Sequence, residues 1–65
     1  MWLNLTNEDG NNVLINLSNV TYIEPKKMRD DNSPVLTRIQ FTDETSVYVK
    51  ETYKEIMELI REGNS

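Results

Sequence analysis

The chain has 65 residues, of which 37% are hydrophobic, with no cysteine, no histidine and a formal net charge of -4. This length predicts a single domain over residues 1–65 with a small core, whose stability needs good local structure or self-association. The lack of cysteine and histidine excludes disulfides and thiolate or imidazole metal sites, and the acidic charge disfavours a protein that holds nucleic acid by its phosphates.

The first two predicted strands form a hairpin. In WLNLTN, Leu3 and Leu5 face one side and Trp2 faces the other, which is the alternation of a half-buried strand. The segment EDGN that follows is acidic and contains a glycine, as hairpin turns often do. We therefore expect residues 2–7 to pair antiparallel with residues 12–17.

The next segment, INLSNVTYIE, breaks this alternation. Its apolar side chains occupy odd positions up to Leu17 and even positions at Val20 and Tyr22. A regular strand would send the two sets to opposite faces. We expect a bulge or tight turn at Ser18 and Asn19. Such an irregularity would return Val20 and Tyr22 to the core face.

Two more strands are predicted after a long loop. Pro25 should end the preceding segment, because proline has no N–H to donate within a sheet. Residues 25–34, which close with a second proline, form the loop. Beyond it, VLTRIQFT and SVYVK alternate as strands do, and DET between them has the length of a tight hairpin turn.

The last predicted element is a helix from Thr52 to Glu62. Thr52 and Glu55 have the spacing of a capping box, and Gly63 is placed to end the helix. Its apolar stripe consists of Tyr53, Ile56, Leu59 and Ile60. The predicted fold class is α+β, with a small antiparallel sheet of four to five strands and one C-terminal helix packed on one face.

The predicted core combines the inward side chains of the strands with the helix stripe. It consists of Leu3, Leu5, Val13, Ile15, Leu17, Val20, Tyr22, Ile39, Phe41, Val47, Val49, Ile56, Leu59 and Ile60. The helix should cover the sheet face that carries Ile15, Ile39 and Val47.

The opposite sheet face carries a second set of large apolar residues. This candidate interface consists of Trp2, Leu14, Leu36 and Tyr48. Tryptophan and tyrosine are enriched at the cores of protein interfaces, so we expect self-association through this face or through an edge strand beside it, by default as a dimer. The alternative is that the first strand curls and Trp2 packs at the edge of the core.

The order of these segments resembles a known family. LTNEDG, then INLSNVTYIE, then IQFTDETSVYVKE followed by a short helix is similar to the small flagellar FlbD family, called SwrD in swarming bacteria. The chain differs from the family pattern in its longer loop over residues 25–34 and in DET, where an Asn-Gly-like turn is usual. The resemblance implies a non-enzymatic protein linked to flagellar motor function, without catalytic residues.

A shorter resemblance points to a different class. The pattern YIE followed by TRIQFTDETSVYV is similar to part of the LytTR DNA-binding domain. It implies a nucleic-acid-binding transcriptional regulator. For a chain with that function we expect the nucleic-acid contacts to come from its basic residues, namely Lys26, Lys27, Arg29 and Arg38. The acidic net charge argues against this alternative.

Few side chains suit catalysis or metal binding. Without histidine and cysteine the commonest general base and activated nucleophile are missing, so we expect no enzyme and no cofactor. The acidic pairs Asp30–Asp31 and Asp43–Glu44 lack the ligand spacing of a calcium loop, and we interpret both as solvated turn residues. Lys26, Lys27 and Arg29 form a basic loop that could contact an acidic partner or phosphate.

The sequence therefore predicts a small binding or assembly module that acts through protein contacts. We expect a cytoplasmic protein, because the chain has no cysteine and no secretion signal. No apolar run is long enough to cross a bilayer, so we expect no membrane insertion.

Overall fold

The computed structural model describes residues 1–26 and 35–63, and it shows an α+β protein with five strands and one α-helix. The strands are β1 (Trp2–Thr6), β2 (Asn12–Asn16), β3 (Val20–Lys26), β4 (Leu36–Phe41) and β5 (Ser46–Val49), and the helix is α1 (Tyr53–Gly63). They form two antiparallel sheets, β1–β2 and β3–β4–β5, instead of the single sheet of four to five strands that the sequence predicts.

The β1–β2 hairpin confirms the predicted pairing, with Leu3 opposite Ile15 and Leu5 opposite Val13. Its turn is held by Asn7, whose side-chain oxygen accepts hydrogen bonds from the N–H groups of Asp9 and Asn11 at 3.0 and 2.9 Å. The short amide side chain therefore satisfies two turn donors, which is the usual role of asparagine in turns.

The predicted irregularity after β2 is confirmed as a single 3-10 turn over Leu17–Asn19. The side chain that stabilises it is Asn16, which accepts a hydrogen bond from the N–H of Ser18 at 3.1 Å. A second irregularity follows, because the register between β3 and β4 shifts between Val20 and Tyr22.

This register shift corrects the predicted core. Val20 packs against the core as expected, but the extra residue after it turns Tyr22 outward, where 43% of its surface is exposed. Ile23 takes the inward position instead. Pro25 does not end the segment either, since β3 continues through it to Lys26 at the edge of the sheet.

A tight turn joins β4 to β5, as predicted. The N–H of Glu44 donates to the carbonyl of Phe41 at 3.0 Å, and the N–H of Phe41 donates to the carbonyl of Thr45 at 2.8 Å. Glu44 has a φ of 72°, so a non-glycine residue occupies the left-handed position of this turn.

The two sheets meet where β1 ends beside the end of β5. Asn7 and Val49 form an antiparallel bridge, and the N–H of Lys50 donates to the carbonyl of Thr6 at 2.7 Å. The carboxylate of Glu51 accepts hydrogen bonds from the N–H and the hydroxyl of Thr6, at 2.8 and 2.9 Å. The backbone carbonyl of Glu51 also accepts a hydrogen bond from the buried hydroxyl of Thr37. Glu51 therefore contacts both sheets.

The helix begins with the predicted capping box. The N–H of Glu55 donates to the hydroxyl of Thr52 at 3.0 Å, and the N–H of Thr52 donates to the Glu55 carboxylate at 3.5 Å. Ile56 is buried in the core with residues from both sheets. Leu59 was predicted to join it, but it is 37% exposed, because the core contacts the middle of the stripe, at Ile56 and Ile60.

The buried core contains side chains from both sheets and the helix, namely Leu3, Leu5, Ile15, Ile39, Val49 and Ile56. Partly buried apolar side chains pack against it, namely Val13, Leu17, Val20, Ile23, Phe41, Val47 and Ile60. Each element alone is too short to be stable, so this shared core is what holds the domain together.

Candidate functional site

Two residues of the predicted interface lie together on the outer face of the β1–β2 hairpin. Trp2 is paired with Asn16 and Asn4 with Leu14, so Trp2 and Leu14 are diagonal neighbours on one face. They are the most exposed large apolar side chains in the described residues, at 63% and 67%. We call these two residues the hairpin patch.

The other two residues of the predicted interface lie in the second sheet and do not extend the hairpin patch. Leu36 was expected to be solvated, but its side chain is only 7% exposed at the start of β4. Tyr48 is half-buried and lies opposite Arg38. Tyr48 precedes Val49, which bridges Asn7 just beyond the end of β1, whereas Trp2 lies at the start of β1.

A polar cluster surrounds Arg38 on the outer face of the β3–β4–β5 sheet. Its guanidinium group is 3.5 Å from the carboxylate of Glu24 and donates to the side-chain oxygen of Gln40 at 2.9 Å. It also lies 6.0 Å from the centre of the Tyr22 ring. Arg38 is therefore engaged by neighbouring side chains and is not presented as an open cationic site.

The predicted basic loop is described only at its first residue. Lys26 is exposed at the end of β3, whereas Lys27, Arg29 and the acidic pair Asp30–Asp31 lie outside the described residues. Within residues 1–26 and 35–63 no group of three acidic side chains lies close enough to hold a metal ion.

The second acidic pair lies in the β4–β5 turn. Asp43 accepts hydrogen bonds from the hydroxyl and the N–H of Thr45 at 2.6 and 3.0 Å. These hydrogen bonds, the hydroxyl first, hold the pKa of Asp43 below its ordinary value. The carboxylate thus stabilises the turn in its charged form, as the sequence interpretation of a turn acid suggests.

A groove that the sequence did not predict runs between β3 and α1. Its volume is about 310 Å³, and we call it the β3–α1 groove. It is lined by Leu17, Val20, Thr21, Tyr22, Ile23, Tyr53, Ile56, Met57 and Ile60. Three of these side chains are large and substantially exposed at its rim, namely Tyr22, Tyr53 and Met57.

One sequence signal pointed towards this groove. Tyr53, Met57 and Ile60 are spaced by four and three residues, so they lie along one side of the helix. This spacing predicts a row of apolar side chains next to Ile56. Nothing in the sequence placed Tyr22 beside that row, because its outward position follows from the register shift in β3.

No protein-family model matches the chain, and no curated protein and no solved structure matches it either. Within residues 1–26 and 35–63, no helix is long and apolar enough to cross a membrane.

Proposed function

We propose that this protein is a non-enzymatic binding and assembly module of the cytoplasm that self-associates, as a dimer, through the hairpin patch. The observation that carries the proposal is the exposure of Trp2 and Leu14 side by side on one sheet face. Large apolar side chains that adjoin one another on a small domain are typical of protein contact surfaces.

The edge of the hairpin supports the same proposal. Among the described residues β2 pairs only with β1, so the strand that carries Leu14 has an unpaired edge next to the hairpin patch. A second copy could cover both the patch and this edge, and two-fold closure is the commonest symmetry of such contacts. Burial of apolar surface stabilises the contact by about 25 cal/mol per Å², against the entropy lost on association.

The resemblance to the FlbD family supports the same class of function, because it implies a non-enzymatic protein. The alternative of a nucleic-acid-binding regulator has less support. Arg38, one of its proposed contacts, lies beside the carboxylate of Glu24 at 3.5 Å, and the chain carries a net charge of -4. Binding to random duplex DNA that weakens steeply with salt would favour the alternative.

Sedimentation velocity at micromolar concentration tests the proposal. The wild-type chain should sediment as a dimer, and the double variant Trp2→Ser, Leu14→Ser should sediment as a monomer with an unchanged fold by circular dichroism. Val35→Ser is the matched control, because Val35 is an exposed apolar residue outside the hairpin, and it should leave the dimer intact. A monomeric wild type, or a dimer that survives the double substitution, would overturn the proposal.

A further inference from the structure

The main-chain groups of β2 alternate between its partner strand and an open edge. In the part of the chain that the structure describes, β2 pairs only with β1. At the two ends of this ladder, the N–H of Asn7 donates to the carbonyl of Asn11 at 2.8 Å, and the N–H of Leu17 donates to the carbonyl of Met1 at 3.0 Å. Hydrogen-bonded pairs alternate along an antiparallel ladder, so the odd-numbered residues of β2 bond to β1. The even-numbered residues therefore direct their N–H and C=O groups to the open edge.

The strand has the same pattern when it is read in either direction. Its five residues are Asn-Val-Leu-Ile-Asn, so polar and aliphatic side chains are arranged symmetrically about Leu14. The residues that face the open edge, Asn12, Leu14 and Asn16, are symmetric about the same centre. An antiparallel copy of β2 therefore matches β2 both in its side chains and in its main-chain groups.

The open edge of β2 also lacks the usual protection against pairing. Natural proteins protect such edges with charged side chains, prolines or bulges. β2 contains neither a charged residue nor a proline over Asn12–Asn16. By contrast β3, which lies at the edge of the second sheet, contains Glu24, Pro25 and Lys26. Of these two edges, that of β2 is the one suited to receive another strand.

We propose that β2 pairs antiparallel with β2 of a second copy of this chain, with Leu14 opposite Leu14 of that copy. The pairing rests on the self-association proposed above and specifies its geometry. Around this centre Asn12 lies opposite Asn16 of the second copy, and both direct their main-chain groups to the new ladder. The three outward N–H groups and the three outward C=O groups of each copy then all have partners.

Other registers leave some of these groups without a partner strand. A centre at Val13 would place Asn16 opposite Gly10, which lies in the hairpin turn of the second copy. A centre at Ile15 would place the other end of β2 opposite the 3-10 turn, Leu17–Asn19. A shift by a single residue would set outward groups opposite inward ones. The centre at Leu14 is therefore the register that pairs the whole strand.

The same register joins the two hairpin patches. Opposite residues of an antiparallel pair lie on one face of the sheet, so Leu14 of each copy adjoins the other on the outer face. Trp2 is the diagonal neighbour of Leu14 within each copy. The two patches then form one apolar strip across a continuous sheet made of both hairpins. Main-chain hydrogen bonds supply affinity, and burial of apolar surface along the strip adds to it.

Amide hydrogen exchange of the full chain tests the strand pairing. When the concentration is raised from well below to well above the Kd of the dimer, the amides of Asn12, Leu14 and Asn16 should exchange at least about tenfold more slowly. The amides of Val13 and Ile15 already bond to β1 and are the internal control, so their exchange should change much less. Contact through side chains alone would not produce this alternation.

Cysteine cross-linking tests the register, because the chain itself has no cysteine. Asn12→Cys and Asn16→Cys should form a disulfide with each other when mixed in a glutathione redox buffer, since opposite residues of such a pair lie about 5.5 Å apart at Cα. Residue 12 lies four residues, or roughly 13 Å, from its own counterpart in this register. Each variant alone should therefore give at least about fivefold less cross-linked product than the mixture.

A matched pair of charged variants tests the same register without cross-linking. The first is Asn12→Asp, Asn16→Asp, and the second is Asn12→Lys, Asn16→Asp. Both keep an oxygen at position 16 that can accept the hydrogen bond from Ser18. The first variant sets like charges opposite each other at both ends of the pair, and the second sets opposite charges there. Sedimentation velocity should give the first a Kd for dimerisation about tenfold or more above that of the second.

Three results would overturn the strand pairing and leave the proposed function standing, provided that Trp2→Ser, Leu14→Ser dissociates a wild-type dimer. The first is exchange of the outward β2 amides that does not depend on concentration. The second is cross-linking of each cysteine variant with itself as efficient as cross-linking in the mixture. The third is an equal Kd for the two charged variants. A wild-type chain that stays monomeric would overturn both proposals.

Discussion

At the scale of single residues, two turn positions in the described part of the chain adopt the left-handed backbone conformation, and one of them is not a glycine. Gly10 has a φ of 88° and Glu44 a φ of 72°. A Cβ atom at Gly10 would meet the Lys50 ammonium nitrogen at 3.9 Å, an ordinary van der Waals distance, and would clash with nothing. Substitution there therefore tests backbone strain alone, which costs roughly 1–2 kcal/mol for a residue with a Cβ atom.

We predict that Glu44→Gly raises the free energy of unfolding by about 0.5–1 kcal/mol, because relief of strain exceeds the extra entropy of the unfolded chain. Gly10→Ala should lower it by a similar amount for the converse reason. Urea denaturation with an unchanged m-value measures both effects. If Glu44→Gly proved neutral or destabilising, the Glu44 side chain would have to make a contact that outweighs its backbone strain.

The neighbouring Asp43 makes this turn depend on pH. Hydrogen bonds from Thr45 lower the pKa of its carboxyl from an ordinary value of 3.8. Because the pKa is lower in the folded state than in the unfolded chain, Asp43 contributes its full stabilisation above that ordinary value. The contribution is lost as the pH falls through the lowered pKa of the folded state.

At the scale of elements, α1 depends on the sheets for its stability. It has 11 residues, a length at which an isolated helix is marginal even with a good cap. Its one fully buried side chain is Ile56, 1% exposed and packed in the core shared by both sheets. Leu59, which is nearly one turn further along, is 37% exposed.

We predict that Ile56→Ala lowers the free energy of unfolding by about 2–5 kcal/mol, because it leaves a cavity among core residues of both sheets. In a domain this small, that loss would unfold much of the population at 25 °C. Leu59→Ala is the matched control and should change stability by at most about 0.5 kcal/mol. Thermal denaturation compares the two, and equal melting temperatures would contradict the observed orientation of the helix.

At the scale of the whole molecule, the β1–β2 and β3–β4–β5 sheets are joined by a few polar contacts in addition to the core. The carboxylate of Glu51 accepts two hydrogen bonds from Thr6 in one sheet, and its carbonyl accepts one from Thr37 in the other. Glu51 follows the end of β5, so it ties the second sheet to the end of β1.

We predict that Glu51→Ala lowers the free energy of unfolding by about 1–3 kcal/mol, because it leaves the half-buried N–H and hydroxyl of Thr6 without their carboxylate partner. Glu24→Ala removes a carboxylate whose side chain is 45% exposed and lies 3.5 Å from Arg38, and it should cost less than about 1 kcal/mol. Urea denaturation of both variants measures the difference. Similar losses would show that Glu51 contributes no more than an exposed ion pair.

Of the four residues predicted to form an exposed apolar face, the sequence placed only some correctly. Alternation along β1 and β2 correctly placed Trp2 and Leu14 on the solvated face. The same reasoning applied to Leu36 failed, because that residue is buried although its neighbours Arg38 and Gln40 on the same sheet face are half-buried. Alternation states which residues share a face, but it does not state which parts of a face the rest of the chain covers.

The local elements could be predicted from the sequence, because their signals act over a few neighbouring residues. The hairpin turn, the break after Leu17 and the capping box at Thr52 and Glu55 all depend on short-range hydrogen bonds. The outward position of Tyr22 and the inward position of Ile23 could not be predicted in this way, because they follow from a register shift against β4. The division into two sheets and the groove beside α1 could not be predicted either, because they depend on long-range packing that no local pattern encodes.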